Sequence, residues 1–180
     1  MKNINSKSIV TILNSLNNEL SLLNISRELN IFGSGALILL EISKLTRETT
    51  DLDILSPTGD VELLKASEKV AATHGIDKEW LNSIGHRFSK YLPTKWDSRL
   101  ITVYEGSNLK VKSLSKGDLL FTKVKALFNR GMSDDLEDIL ALCSSFEEVN
   151  ELVTKINFSD KDRLQAITNQ LKEAYANLQP

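Results

Sequence analysis

Phe32-Gly33-Ser34-Gly35-Ala36-Leu37 and, after a polar stretch, Asp51-Leu52-Asp53-Ile54-Leu55 are the two segments on which the reading of this chain turns. Asn30-Ile31-Phe32 reads as a short strand, Gly33-Ser34-Gly35 as a tight turn, and Ala36 to Leu40 as a buried helix. Thr46 to Thr50 reads as a polar loop, and Leu52 to Leu55 as a second strand closed by Ser56-Pro57-Thr58-Gly59. Asp51 and Asp53 are two apart, so along a strand their side chains leave the same face. Two neighbouring carboxylates repel each other and need a cation. Mg²⁺ suits them, because it takes oxygen ligands and keeps positions open for substrate phosphates. Gly33 and Gly35 remove side chains at a strand-to-helix turn, where backbone N–H groups can meet a phosphate, and Ser34 adds a hydroxyl. Taken singly, an Asp-x-Asp pair fits a solvated strand edge and a Gly-Ser-Gly fits a simple turn. In the order strand, turn, helix, loop, strand they describe a site for metal and triphosphate.

Working outward, Ile9, Ile12, Leu13, Leu16, Leu20 and Leu23 recur at three- and four-residue steps and predict an amphipathic helix from Ser6 to about Arg27. Asp60 is placed to cap a helix that ends at His74-Gly75. A short helix is expected near Asp77 to Ile84, followed by an irregular stretch to Lys95. Arg99 to Glu105 and Leu109 to Leu114 alternate like two strands, joined by Gly106-Ser107-Asn108 as a hairpin. The remainder reads as helices. Ser115 with Asp118 resembles a capping signal, Ser133 is expected to cap a helix from Asp134 to Cys143, Ser145 with Glu148 forms a capping box, and Ser159 with Asp162 opens a last helix to about Leu178. The expected class is α+β, with an α/β core over residues 1–114 and a helical portion over 115–180 packed on it.

The chain has 180 residues, 22 basic against 24 acidic, and a formal net charge of −2. That length fits one ordinary domain or one core with a small appendage, and the balance provides no global field to hold a polyanion. A local basic groove is compatible with it. The N-terminus lacks a long apolar run, and no stretch approaches the roughly 20 apolar residues that span a bilayer. A soluble, cytoplasmic protein is expected. Cys143 is the single cysteine, which excludes an internal disulfide. His74, His86 and Cys143 have no metal-ligand spacing, and Trp80 and Trp96 read as packing anchors.

With these residues in view, the sequence resembles the nucleotidyltransferase superfamily that includes DNA polymerase β, whose signature is Gly-Ser followed by Asp-x-Asp on the next strand. It is similar more closely to bacterial proteins related to the AbiEii toxins of abortive-infection and toxin–antitoxin systems. The matching pieces are Gly33 to Leu37, Arg47 to Asp53, Asp118-Leu-Leu-Phe-Thr-Lys123 and Asp135-Leu-Glu-Asp138, and Leu92 to Leu100 resembles a segment of one subgroup. The resemblance covers roughly residues 30–142. It implies a minimal nucleotidyltransferase core of mixed sheet flanked by helices. It also implies metal ligation by Asp51 and Asp53, triphosphate contact by Gly33 and Ser34, phosphate contact by Lys123, and an active-site role for Asp135. The implied reaction is Mg²⁺-dependent transfer of a nucleotidyl group from an NTP to an acceptor (RNA, protein or small molecule), with a toxin or antitoxin as partner. For Lys123 and Arg130 the ordinary alternative is a solvated helix face, and for Asp135 and Asp138 it is stabilisation of a helix N-terminus. The interval from Ser34 to Asp51, 17 positions, exceeds the polymerase-type spacing. A third carboxylate on a following strand is not evident, with Glu105 the one candidate. A catalytically silent protein that binds nucleotide or a protein partner is the alternative function.

Overall fold

The computed structural model describes residues 2–42, 48–131, 133–156 and 158–178. They form two compact units, one up to Ser115 and one from Lys116 onward. The Thr46–Thr50 loop expected from the sequence, and Arg47 with it, falls partly outside the described residues.

The first unit opens with helix α1, Ile9–Leu22, which buries Ile9, Ile12, Leu13, Leu16 and Leu20 as one stripe. The helix stops short of the expected Arg27. Asn24 takes a left-handed conformation at φ 54°, which an Asn tolerates and a helix cannot continue through. Strand β1 follows as Arg27–Phe32, longer than the three residues read from the sequence. Its alternation, with Leu29 and Ile31 buried, was masked by the helical pattern running into it. Next come helix α2, Gly33–Leu39, strand β2, Leu52–Ser56, and helix α3, Val61–His74.

Strands β3 (Leu81–Asn82), β4 (Ile101–Glu105) and β5 (Leu109–Ser113) complete a five-stranded sheet in the order β3-β2-β1-β5-β4. The sheet is mixed. β1 runs antiparallel to β2 and parallel to β5, while β4 and β5 form the expected hairpin. Ile31 stands opposite Ile54, and Leu29 beside Val111, so the buried residues of three strands share one face. Helix α1 packs against β5 and α3. The other face carries Glu28, Lys110, Lys112, Phe32 and Asp53, with Lys112 Nζ 2.8 Å from Glu28. The sheet therefore separates an apolar layer from a face on which charged groups stay near water.

Two polar anchors fix the edges of this unit. Asp60 caps α3 by accepting a hydrogen bond from the Leu63 N–H at 2.9 Å, and its carboxylate also pairs with the Arg27 guanidinium at the start of β1. Gly75 ends α3 at φ 68°. Trp80 is fully buried and donates its indole N–H to the Ser67 carbonyl at 3.0 Å, which confirms it as an anchor. Trp96 is half-buried. The expected helix near Asp77 to Ile84 does not form. Asp77 Oδ1 accepts from the Glu79 N–H, Asn82 Oδ1 accepts from the Ile84 N–H, and Leu81 pairs with Leu52. Local side-chain acceptors and a strand partner thus outcompete the helix. The supposedly irregular stretch that follows contains 3₁₀ helices at Ile84–Tyr91 and Trp96–Arg99.

The second unit is helical: α4 Lys116–Arg130, α5 Ser133–Leu142, α6 Phe146–Lys155 and α7 Lys161–Ala176. Leu127, Ile139, Val149 and Leu171 centre its core, and the Phe128 and Phe158 rings stack with centroids 4.0 Å apart. Ser145 caps α6 as expected, whereas α7 is capped by Asp160, one residue after the expected Ser159. Tyr175 donates its hydroxyl to the Cys143 carbonyl at 3.0 Å. Burial pushes both the Cys143 thiol and the Tyr175 phenol above their ordinary values, so Cys143 is a core residue rather than a nucleophile. Among the described residues no helix is long and apolar enough to cross a membrane.

Asp60→Ala removes a helix cap and the partner of a partly buried guanidinium, so urea denaturation is expected to show a loss of about 2 kcal/mol. Glu62→Ala, at the exposed end of the same cluster, is expected to change stability by less than about 0.5 kcal/mol. Burial raises the Asp60 pKa, but hydrogen bonds from Arg27 and the Leu63 N–H outweigh it and hold the carboxyl below the ordinary 3.8. The stabilisation is therefore complete above that value and is lost as pH falls through the depressed folded value. Acid titration of stability should be shallower in Asp60→Ala than in the parent.

Candidate active-site residues

The turn and the carboxylates meet at the polar end of β1 and β2. Phe32 pairs with Asp53 across the two strands, and the chain turns into α2 at the next residue. Gly33 has φ +73°, and a Cβ there would lie 3.2 Å from Asp53 Oδ2. A Cβ at Gly35 would meet Leu52 Cδ1 at 2.4 Å and the Asp51 carbonyl at 3.4 Å. Glycine is thus favoured at 33 by its positive φ, and at 35 by the close approach of the buried Leu52. The turn lies directly against residues 51–53. Helix α2 is held there because Gly35, Ala36, Leu37 and Ile38 are all buried. Phe32, at its N-cap position, has no side-chain acceptor to offer, which leaves the first N–H groups of the helix to another partner.

Asp51 immediately precedes β2 rather than lying in it. The burial alternation of residues 51–54 still places Asp51 and Asp53 away from the buried Leu52 and Ile54. Thr49 donates its hydroxyl to Asp51 Oδ1 at 3.1 Å, and its backbone is tied to Ile4 by hydrogen bonds of 2.7 and 2.8 Å. Thr49 is a supporting residue that the sequence reading passed over. A Thr two positions before an Asp, able to bond locally, is the signal that was there.

The described residues contain no group of three or more His, Cys, Asp and Glu side chains arranged to hold a metal ion. Two half-buried carboxylates two residues apart, Asp53 with its Oδ2 beside the Gly33 turn, nevertheless fit Mg²⁺. That ion is held by one or two carboxylates, with water and substrate phosphates completing its octahedron. Glu105 does not join them. Through Lys110 it aligns with Glu28 at the start of β1, about 13 Å along the strands from the Asp53 end, and it pairs with Lys110 Nζ at 3.0 Å.

Lys123 and Asp135 belong to the helical unit, where they form a second constellation. Lys123 Nζ lies 2.6 Å from Asp138 and 3.5 Å from Asp135, and Arg130 grips both Asp135 oxygens at 2.9 Å. The Lys123 side chain is 8% exposed, and those of Asp135 and Asp138 are 1% and 0%. The solvated helix face is therefore wrong for Lys123. Asp135 does stand in the first turn of α5, as the helix-terminus reading required. Asp138 is the partner that spacing alone did not assign. It shares a helix face with Asp135, and a buried ammonium needs a second anion when Arg130 engages the first.

No curated protein and no solved structure matches this chain. The family described as "Nucleotidyltransferase of unknown function (DUF6036)" matches residues 9–178, which takes in the glycine turn, both aspartates, Lys123 and Asp135, and the chain belongs to that family.

Proposed function

We propose that this protein transfers a nucleotidyl group from an NTP to an acceptor at the Gly33–Ser34 turn and the Asp51–Asp53 pair. The observation that carries the reading is the closeness of turn and carboxylate: a Cβ on Gly33, itself at φ +73°, would lie 3.2 Å from Asp53 Oδ2. In the reaction the acceptor oxygen bonds to the α-phosphorus, the α–β phosphoanhydride breaks, pyrophosphate leaves, and the acceptor proton passes to solvent. Asp51 and Asp53 would hold Mg²⁺, which when bound supplies charge neutralisation on the phosphates. The first N–H groups of α2 and the Ser34 hydroxyl orient the triphosphate. The family resemblance supports phosphate contact by Lys123, whose ammonium is held within the helical unit by Asp138 and Asp135. The AbiEii-like motifs support a toxin–antitoxin or phage-defence setting with a neighbouring protein as partner. Growth after expression, with and without that neighbour, tests it.

One observation favours a second reading. Among the described residues, the acids on the other strands, Glu28 and Glu105, both sit at the far end of the sheet. A centre of two carboxylates is compatible with a protein that binds nucleotide without turnover. A thermal shift with NTP and Mg²⁺ in the absence of label transfer would select it.

Asp51→Asn and Asp53→Asn are each expected to lower Mg²⁺-dependent labelling by α-³²P-NTP at least 100-fold while the thermal midpoint holds. Undiminished labelling in both variants overturns the mechanism. Asp138→Ala removes the carboxylate nearest the buried Lys123 ammonium, and a loss of about 3 kcal/mol in urea denaturation is expected. Lys123→Met strips the buried Asp138 carboxylate of its nearest cation, and a loss of similar size, about 3 kcal/mol, is expected.

A further inference from the structure

Between β3 and β4 runs a surface stretch, Ile84 to Arg99, whose charge opposes that of the chain. Arg87, Lys90, Lys95 and Arg99 face a single Asp97, a net of +3 in a protein that totals −2. All four cations are exposed. The first half, Ile84–Tyr91, is a 3₁₀ helix of eight residues, longer than the three or four usual for this form. With three residues per turn, side chains at i and i+3 stand above one another. Two parallel rows result: Arg87 with Lys90, and beside them Phe88 with Tyr91. The aromatic pair is 52% and 53% exposed, and Lys90 Nζ lies 4.9 Å from the Tyr91 ring centroid.

The rows are fixed next to the carboxylate pair. Gly85 packs under the Phe32 ring and the Ile54 carbonyl so closely that a Cβ would be 2.1 Å from Phe32 Cε1. His86 Nδ1 is 3.2 Å from the Leu55 carbonyl, and the Phe88 ring lies 6.3 Å from that of Phe32. Phe32 stands opposite Asp53 in the β1–β2 pairing, and opposed residues share a face. The basic and aromatic rows therefore lie on the face of the sheet that carries Asp53.

We propose that this stretch is a platform for single-stranded nucleic acid, which presents the acceptor to the Asp51–Asp53 centre. Its purpose rests on the nucleotidyltransferase reading, whereas its binding does not. Exposed rings beside a line of cations match a strand with free base faces and a regular row of phosphates. A duplex hides those faces, and a lone triphosphate has no use for a pair of exposed rings in a row. The chain's negative total keeps the interaction weak and sensitive to salt.

The experiment is fluorescence anisotropy of the full chain with labelled oligo-U and oligo-A RNA of about twelve nucleotides at about 50 mM salt, with a matched duplex and anionic phosphatidylglycerol vesicles alongside. The single strands are expected to bind at least about tenfold more tightly than the duplex. Arg87→Ala/Lys90→Ala should reduce the slope of log affinity against log salt by about 1.4. Phe88→Leu/Tyr91→Leu, which keeps apolar packing on Phe32, should weaken binding roughly tenfold or more with the slope unchanged. Asp53→Asn should bind like the parent, so that a dead catalytic centre and an absent platform give different results. The proposal is overturned by undetectable single-strand binding, by equal affinity for the duplex, by parental affinity in both double variants, or by binding to vesicles alone.

Discussion

The first unit is organised around one steric constraint, the close approach of the Gly33–Gly35 turn to residues 51–53, where a Cβ on Gly35 would collide with Leu52 and one on Gly33 would crowd Asp53. This contact sets where α2 leaves β1 and where β2 begins. It also places the glycine turn beside Asp53. The constraint holds only because α2 is anchored on its other side by Ala36, Leu37 and Ile38, and because Thr49 and Ile4 fix the approach to β2. The apolar layer beneath the sheet thus determines the geometry above it.

The sheet makes this division of labour workable. Its buried face is continuous across β2, β1 and β5, so strand register is strongly specified. The polar face is then available for charge. Acidic groups stand at one end with Asp53, Glu28 and Glu105 are neutralised by lysines at the other, and the Ile84–Arg99 stretch brings cations and rings beside Phe32. The helical unit treats charge differently. It buries Lys123, Asp135 and Asp138 as a mutually compensated group with Arg130 at its rim, an arrangement costly to desolvate and costly to break.

Some of this was legible in the residues. The stripe of α1, the cap and glycine stop of α3, the β4–β5 hairpin and the cap of α6 each rest on interactions between near neighbours, and such interactions leave periodic or short-range marks. The misreadings occurred where distant partners decide. β1 was concealed by the helical spacing before it, because its pairing with β5 lies some 80 positions away. The segment after Asp77 became a turn and a two-residue strand because Leu81 found Leu52.

The sequence by itself determined the chemistry: two carboxylates at strand spacing after a glycine turn, a balanced charge, a lone cysteine, and helices toward the C-terminus. It could do so because residue type and local period are written along the chain. Only the tertiary structure decided which groups meet. Gly33 lies close to Asp53, Glu105 stands at the opposite end of the sheet, Lys123 is buried against Asp138, and the basic stretch from Ile84 lies beside Phe32. These outcomes depend on strand register and on the sharing of buried charge, both settled between residues far apart in the chain.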